Sequence, residues 1–166
     1  MKLFHLSDLH IGKRVNEFSM IEDQKYILKR ILDLAEEEKP DGIILAGDIY
    51  DKQIPSAEAV QVFDEFITRL AGRAIPVFII SGNHDSAERL AFGGRLLNSR
   101  GIYLSPVYDG SVTKIPLKDQ YGTVWIHLLP FIRPSTVRHV FENEADLVTD
   151  VQTAAETVIR HMEIDL

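Results

Sequence analysis

The chain has no cysteine, which excludes a disulfide framework and any zinc site built on thiolates. It has no apolar run approaching the length of a membrane span. Met1-Lys2-Leu3-Phe4-His5 reads directly as a strand rather than as a signal peptide, so the expectation is a cytoplasmic protein with no membrane association. Positive charge is in deficit, with 18 Lys and Arg against 25 Asp and Glu and a net charge of −7. That balance argues against binding nucleic acid through a broad positive field. It leaves room for a local basic rim around a site whose cations supply the positive charge. Repeats, low-complexity segments and obvious linkers are also missing. What is present, 45% hydrophobic and 26% charged residues over 166 positions, suits one globular domain with a real core.

The stretch that organises the rest is Gly42-Ile43-Ile44-Leu45-Ala46-Gly47-Asp48-Ile49-Tyr50-Asp51. Its apolar run reads as a strand buried on both faces. The run stops at Gly47 and delivers Asp48 just past the carboxyl end of the strand, where open α/β sheets place their ligands. By itself a Gly-Asp pair after a strand is also an ordinary turn.

The same arrangement recurs on either side. Residues 2–7 read as a first strand ending in Asp8-Leu9-His10-Ile11-Gly12. Pro76-Val77-Phe78-Ile79-Ile80 reads as another, breaking at Ser81-Gly82 before Asn83, His84 and Asp85. Between them, Ser19-Met20-Ile21-Glu22 has the form of a capping box for a helix whose apolar face carries Ile27, Leu28, Ile31, Leu32, Leu34 and Ala35. Pro40 stops it. Pro55-Ser56 begins a second helix with Ala59, Val60, Phe63, Phe66, Ile67 and Leu70 on one face, closing near Gly72. Ser86 is placed to cap a third, running to about Asn98 and ended by Gly101. The alternation β-α-β-α-β-α predicts an α/β fold with a largely parallel sheet and helices on both faces. Beyond residue 102, short strands at 102–104, 112–115 and 123–129 suggest a second, more antiparallel layer, followed by helices at 135–139 and roughly 145–162.

Collected, the polar residues at the strand ends are Asp8 and His10, Asp48 and Asp51, then Asn83, His84 and Asp85. Mixed carboxylate, imidazole and amide-oxygen donors suit a borderline-hard divalent cation such as Mn²⁺, with Fe²⁺ or Zn²⁺ as alternatives. A carboxylate shared between two such ions is the arrangement that clamps an in-line phosphoryl displacement. Here the chain resembles the calcineurin-like metallophosphoesterases. Their D-x-H, G-D-x-x-D and G-N-H-D motifs are present as Asp8-Leu9-His10, Gly47-Asp48-Ile49-Tyr50-Asp51 and Gly82-Asn83-His84-Asp85. Within that family it is most similar to the bacterial DNA nuclease branch, a likeness that extends to Leu129-Pro130-Phe131-Ile132-Arg133-Pro134 and covers nearly the whole chain. It departs from the protein phosphatase branch, which has Arg-Gly after the second motif; here Asp51 is followed by Lys52-Gln53.

The resemblance implies a calcineurin-like α/β sandwich and a role for each position. Asp8 and His10 would hold a first ion, Asp48 would bridge, and Asn83 would ligate a second, Mn²⁺ being the expected metal. His84 would not ligate but would act at the scissile phosphate, with Asp51 holding its ring. Asp85 is expected to be structural, bonding backbone in its turn. The expected DNA contacts are Lys13, Arg14, Lys52, Arg89 and Arg133. The family's two later motifs, Gly-His or Thr-His and then Gly-His-x-His, are missing, and His5, His127, His139 and His161 lack the context to replace them. The expectation is therefore an incomplete sandwich: the amino-terminal part of a longer nuclease, breaking off at Glu163-Ile164-Asp165-Leu166 where the next strand should begin, and weakly active or inactive. The same resemblance implies DNA as substrate, an ATPase partner whose docking region is absent here, and a homodimer through helices near 56–71 and 86–98. Two other classes stay open: a phosphodiesterase of small molecules or cyclic nucleotides on the same scaffold, and a non-catalytic pairing module.

Overall fold

In the computed structural model, which describes residues 1–164, the apolar runs form strands and the periodic segments helices. Strand β1 (Leu3–Leu6) leads into a small hairpin of β2 (Arg14–Val15) and β3 (Phe18–Ser19), then helix α1 (Ile21–Glu38) and strand β4 (Gly42–Ala46). Helix α2 (Ala57–Ala71), strand β5 (Val77–Ile80), helices α3 (Ala87–Leu90) and α4 (Gly94–Asn98) and strand β6 (Ile102–Leu104) follow. The chain continues through β7 (Thr113–Asp119), β8 (Gly122–Leu128), α5 (Pro134–Val140), a 3-10 turn over Glu142–Leu147 and α6 (Val151–His161). Asp165 and Leu166, part of the expected onset of a further strand, lie outside the described residues. Among the described residues no helix is long and apolar enough to cross a membrane.

The sheet is parallel, in the order β1-β4-β5-β6. Each new strand is added on the same side of the last. Right-handed crossovers that always step the same way leave their helices on one face of the sheet. That corrects the expectation of helices on both faces from the β-α repeat. Residues of α1, α2 and α3 share a single core with Ile43, Leu45, Val77, Ile79 and Ile102. On the opposite face Phe78 stacks on Tyr103. A side chain at Gly42 there would come within 3.0 Å of the Phe78 ring and 3.5 Å of Leu117 in β7. The antiparallel β7–β8 hairpin thus forms a second layer, and a smaller core around Ile132, Val137, Val148, Ala154 and Val158 sits beside it.

Three local expectations need correction. The capping box expected at Ser19 does not form: Ser19 pairs with Arg14 in the β2–β3 hairpin, its hydroxyl accepts from Ile21 N–H at 3.4 Å, and the N-cap is Met20, without a side-chain bond. A capping box does occur at α6, where Asp150 and Thr153 exchange hydrogen bonds. The inward stripe of α1 is Ile21, Leu28, Leu32 and Ala35, while Ile27 and Leu34 face solvent; on α2, Val62 rather than Val60 is buried. The expected third helix is two short ones, broken at Gly93, whose φ of +75° no continuing helix adopts. Leu28→Ala is expected to cost about 2–4 kcal/mol of stability and Ile27→Ala less than about 0.5, measured by urea denaturation, because only the first opens a cavity.

Candidate metal centre

The strand order brings the ends of β1, β4 and β5 side by side, and main-chain pairing continues past them. Asp8 N–H donates to Gly47 O (3.2 Å), His10 N–H to Asp48 O (2.9 Å), Ile11 N–H to Ile49 O (2.9 Å), and Asp51 N–H back to Ile11 O (3.2 Å). This zipper holds three non-glycine residues in the left-handed region: Asp8 (φ 56°), His10 (φ 43°) and Asp48 (φ 49°). Each such residue costs roughly 1–2 kcal/mol, so the conformation is held by its surroundings rather than by local preference.

The loop after β5 is clasped onto this pair by Asp85, which is buried. Its Oδ2 accepts from Gly82 N–H (2.8 Å) and Ile49 N–H (3.1 Å), and its Oδ1 from Tyr50 N–H (2.9 Å). The carboxylate thus bonds backbone both in its own turn and in the loop after β4. Gly82 lies so close that a Cβ there would sit 2.1 Å from Asp48 Oδ1 and 2.3 Å from Asp48 N. Asp48 Oδ1 in turn accepts from His84 N–H at 2.9 Å. Burial, with Asp85 and Asp64 nearby, pushes the Tyr50 hydroxyl up to about 12, which keeps it neutral.

Around His10 the side chains converge. Its Nε2 lies 3.7 Å from Asp8 Oδ1 and 3.8 Å from Asp48 Oδ2, and its Nδ1 lies 3.7 Å from Asp51 Oδ1. These separations are too long for hydrogen bonds; donors sharing one cation, each about 2.1 Å from it, stand up to about 4 Å apart, which fits Asp8 and Asp48 at Nε2, while Asp51 meets the opposite ring nitrogen. His10 Nδ1 is buried and has no hydrogen-bond partner. The His84 ring meets the His10 ring edge-on, centroids 4.8 Å apart, and one ligand-capable atom from each of His10, Asp48 and His84 lies within 4.8 Å of the other two. Three carboxylates gathered about one imidazole form a strongly cation-seeking pocket, and the donor set fits a divalent metal.

The remaining candidates are placed as follows. Asn83 is exposed and lines one open cleft with Asp8 and Asp48. That cleft is walled by Pro130 and Phe131, whose N–H donates to Ser81 O at 2.8 Å. Asp51 touches His84 only through its main chain, the carbonyl lying 3.1 Å from His84 Nδ1, while its carboxylate faces His10. The family resemblance paired that carboxylate with His84. Arg14 and Lys52 line a cleft with Asp51 on one side of the centre, and Arg133 lines another with Asn83. Arg133 and Arg89 both act on Glu88, whose carboxyl is held low first by its own backbone N–H and by Ser86 and then by these cations. Lys13 is exposed.

One residue at the centre was not anticipated. Gln24 of α1 reaches the loop after β1 and bonds its main chain three times. A signal was available: Gln24 falls between buried Ile21 and Leu28, three residues after one and four before the other, so it is a polar residue on the inward stripe.

The fold and this centre define the class. The chain belongs to the calcineurin-like phosphoesterase family, whose model matches residues 1–161. Within it, the chain is similar to SbcD, part of the SbcCD nuclease of Staphylococcus epidermidis, with 37% identity over 145 residues. The matched region is 87% of this chain and 38% of that protein, so the chain spans well under half the length of this curated relative.

Proposed function

We propose that this chain carries the cation-binding core of a DNA phosphodiesterase, a nuclease of the SbcD type. The observation that carries the reading is the approach of Asp8 and Asp48 to the same nitrogen, Nε2, of His10 at 3.7 and 3.8 Å. Asp8 and His10 would hold a first ion, Asp48 would serve both, and Asn83 would belong to the second. Two divalent cations, Mn²⁺ the best match to these donors, would acidify a water and neutralise the phosphate oxygens. His84 is fixed to Asp48 through its main chain, leaving its ring to stabilise the transition state or protonate the leaving oxygen. The Asp51 carbonyl can only accept, so His84 Nδ1 donates its N–H to it and Nε2 is left to face the phosphate, as a proton donor when the ring carries both protons. Arg14 and Lys52 on one flank and Arg133 on the other, with Lys13 and Arg89 further out, would receive the DNA backbone on an otherwise acidic protein.

The partners follow from the same likeness: DNA, an SbcC-type ATPase and a second copy of the chain. For pairing, Phe92 and Leu96 remain exposed on the 86–98 segment, whereas Phe63, Phe66 and Leu90 belong to the core.

The test is calorimetric titration with Mn²⁺, together with hydrolysis of linear duplex DNA and of bis-p-nitrophenyl phosphate. The chain is expected to bind Mn²⁺ weakly and hydrolyse slowly, since the later histidine motifs are absent from it. Asp48→Ala should abolish binding, and His84→Ala should keep binding while removing residual turnover. A wild-type chain that takes up no Mn²⁺ overturns the metal reading. Turnover of the small diester with none on DNA, in a protein containing the later motifs, would move the assignment to a small-molecule phosphodiesterase.

A further inference from the structure

Gln24 spends its whole carboxamide on one short loop. Its Oε1 accepts from Gly12 N–H at 2.9 Å, and its Nε2 donates to Leu9 O at 3.1 Å and to His10 O at 2.7 Å. The amide orientation follows from the partners, since two carbonyls demand the NH₂ and one N–H demands the oxygen. We propose that Gln24 is a positioning residue for the first cation site, an inference that rests on the metal reading above.

Three features support it. The loop is strained, with His10 at φ 43° and Gly12 at φ 91°, and needs an outside hold. Its other edge is already fixed by the zipper to Asp48 and Ile49, so Gln24 closes the grip from the opposite side. The base of the grip is rigid, because the flanking Ile21 and Leu28 are buried in the core. Holding the His10 carbonyl sets the direction of its Cα–Cβ bond, and with it the aim of Nε2 at Asp8 and Asp48. No other side chain of this length offers two donors and an acceptor in one plane. Glu would set carboxylate oxygens against two carbonyls, and Met would fill the space without bonding.

The experiment compares the wild-type chain with Gln24→Met and Gln24→Glu by Mn²⁺ calorimetry and by paramagnetic broadening of backbone amide resonances. Circular dichroism melts run alongside. Outer partners of metal ligands are worth roughly 10–100-fold in affinity. Both variants are therefore expected to stay folded, lose about that factor in Mn²⁺ affinity, and shift amide resonances chiefly over Leu9–Gly12. A space-filling role would leave Gln24→Met unchanged, so wild-type Mn²⁺ affinity in that variant overturns the proposal while the metal reading stands. Loss of the folded state in both variants would assign Gln24 to the fold and also overturn it. If the wild-type chain itself binds no Mn²⁺, the metal reading fails and this inference fails with it.

Discussion

Gly82→Ala is expected to destabilise the protein by about 3 kcal/mol or more and to cut Mn²⁺ affinity at least about 100-fold. The reason is a steric conflict with no local escape. The new methyl would meet Asp48 Oδ1 at 2.1 Å and Asp48 N at 2.3 Å, and rotating the Asp48 side chain relieves only the first. The main-chain contact forces the loops after β4 and β5 apart. That separation breaks the bond from His84 N–H to Asp48 and stretches the clasp made by Asp85. Gly94→Ala provides the comparison. It lies in α4, and its nearest neighbours are Leu104 atoms at 3.7 and 3.8 Å, an ordinary contact. Removing a helical glycine there should stabilise by up to about 1 kcal/mol. Urea denaturation of the two variants, with Mn²⁺ calorimetry, checks the contrast; equal stabilities would mean that the two loops do not meet at Gly82.

Asp85→Ala is expected to cost about 3–5 kcal/mol, the range for stripping several bonds from a buried charged acceptor. It would leave the N–H groups of Ile49, Tyr50 and Gly82 without their carboxylate, the first buried and the other two partly so. Asp85→Asn should fall between, because one oxygen can still serve Gly82 and Ile49 while the new NH₂ faces the Tyr50 N–H, donor against donor. The ordering Asp, Asn, Ala in chemical-denaturation midpoints, with an unchanged slope, is the expected result. Equal midpoints for Asn and wild type would show that a single oxygen suffices.

These variants mark the boundary between what was legible in the chain and what was not. The β4 strand was readable because a strand buried on both faces is a continuous apolar run, and Gly42–Ala46 is one. The starts of α2 and α3 were readable because Ser56 and Ser86 bond N–H groups only three residues away. The face of α1 was misread at Ile27 and Leu34 because several helical stripes fit the same apolar residues, and packing against α2 selected one. The single-faced arrangement of helices depended on the order of strands, which a β-α alternation leaves open. At the centre, the family motifs pointed to Asp8, His10, Asp48, Asn83 and His84. They did not show that the Asp51 carboxylate faces His10, or that Gln24 holds the loop.

What the amino-acid sequence by itself determined was the succession of elements and the kinds of polar side chain carried past each strand, because both depend on residues within a few positions of one another. Only the tertiary structure decided which carboxylate faces which imidazole and which side chains clamp the loops. A hydrogen bond such as that from Ile49 N–H to Asp85 joins residues 36 positions apart, and its existence depends on angles and separations set after the sheet has assembled.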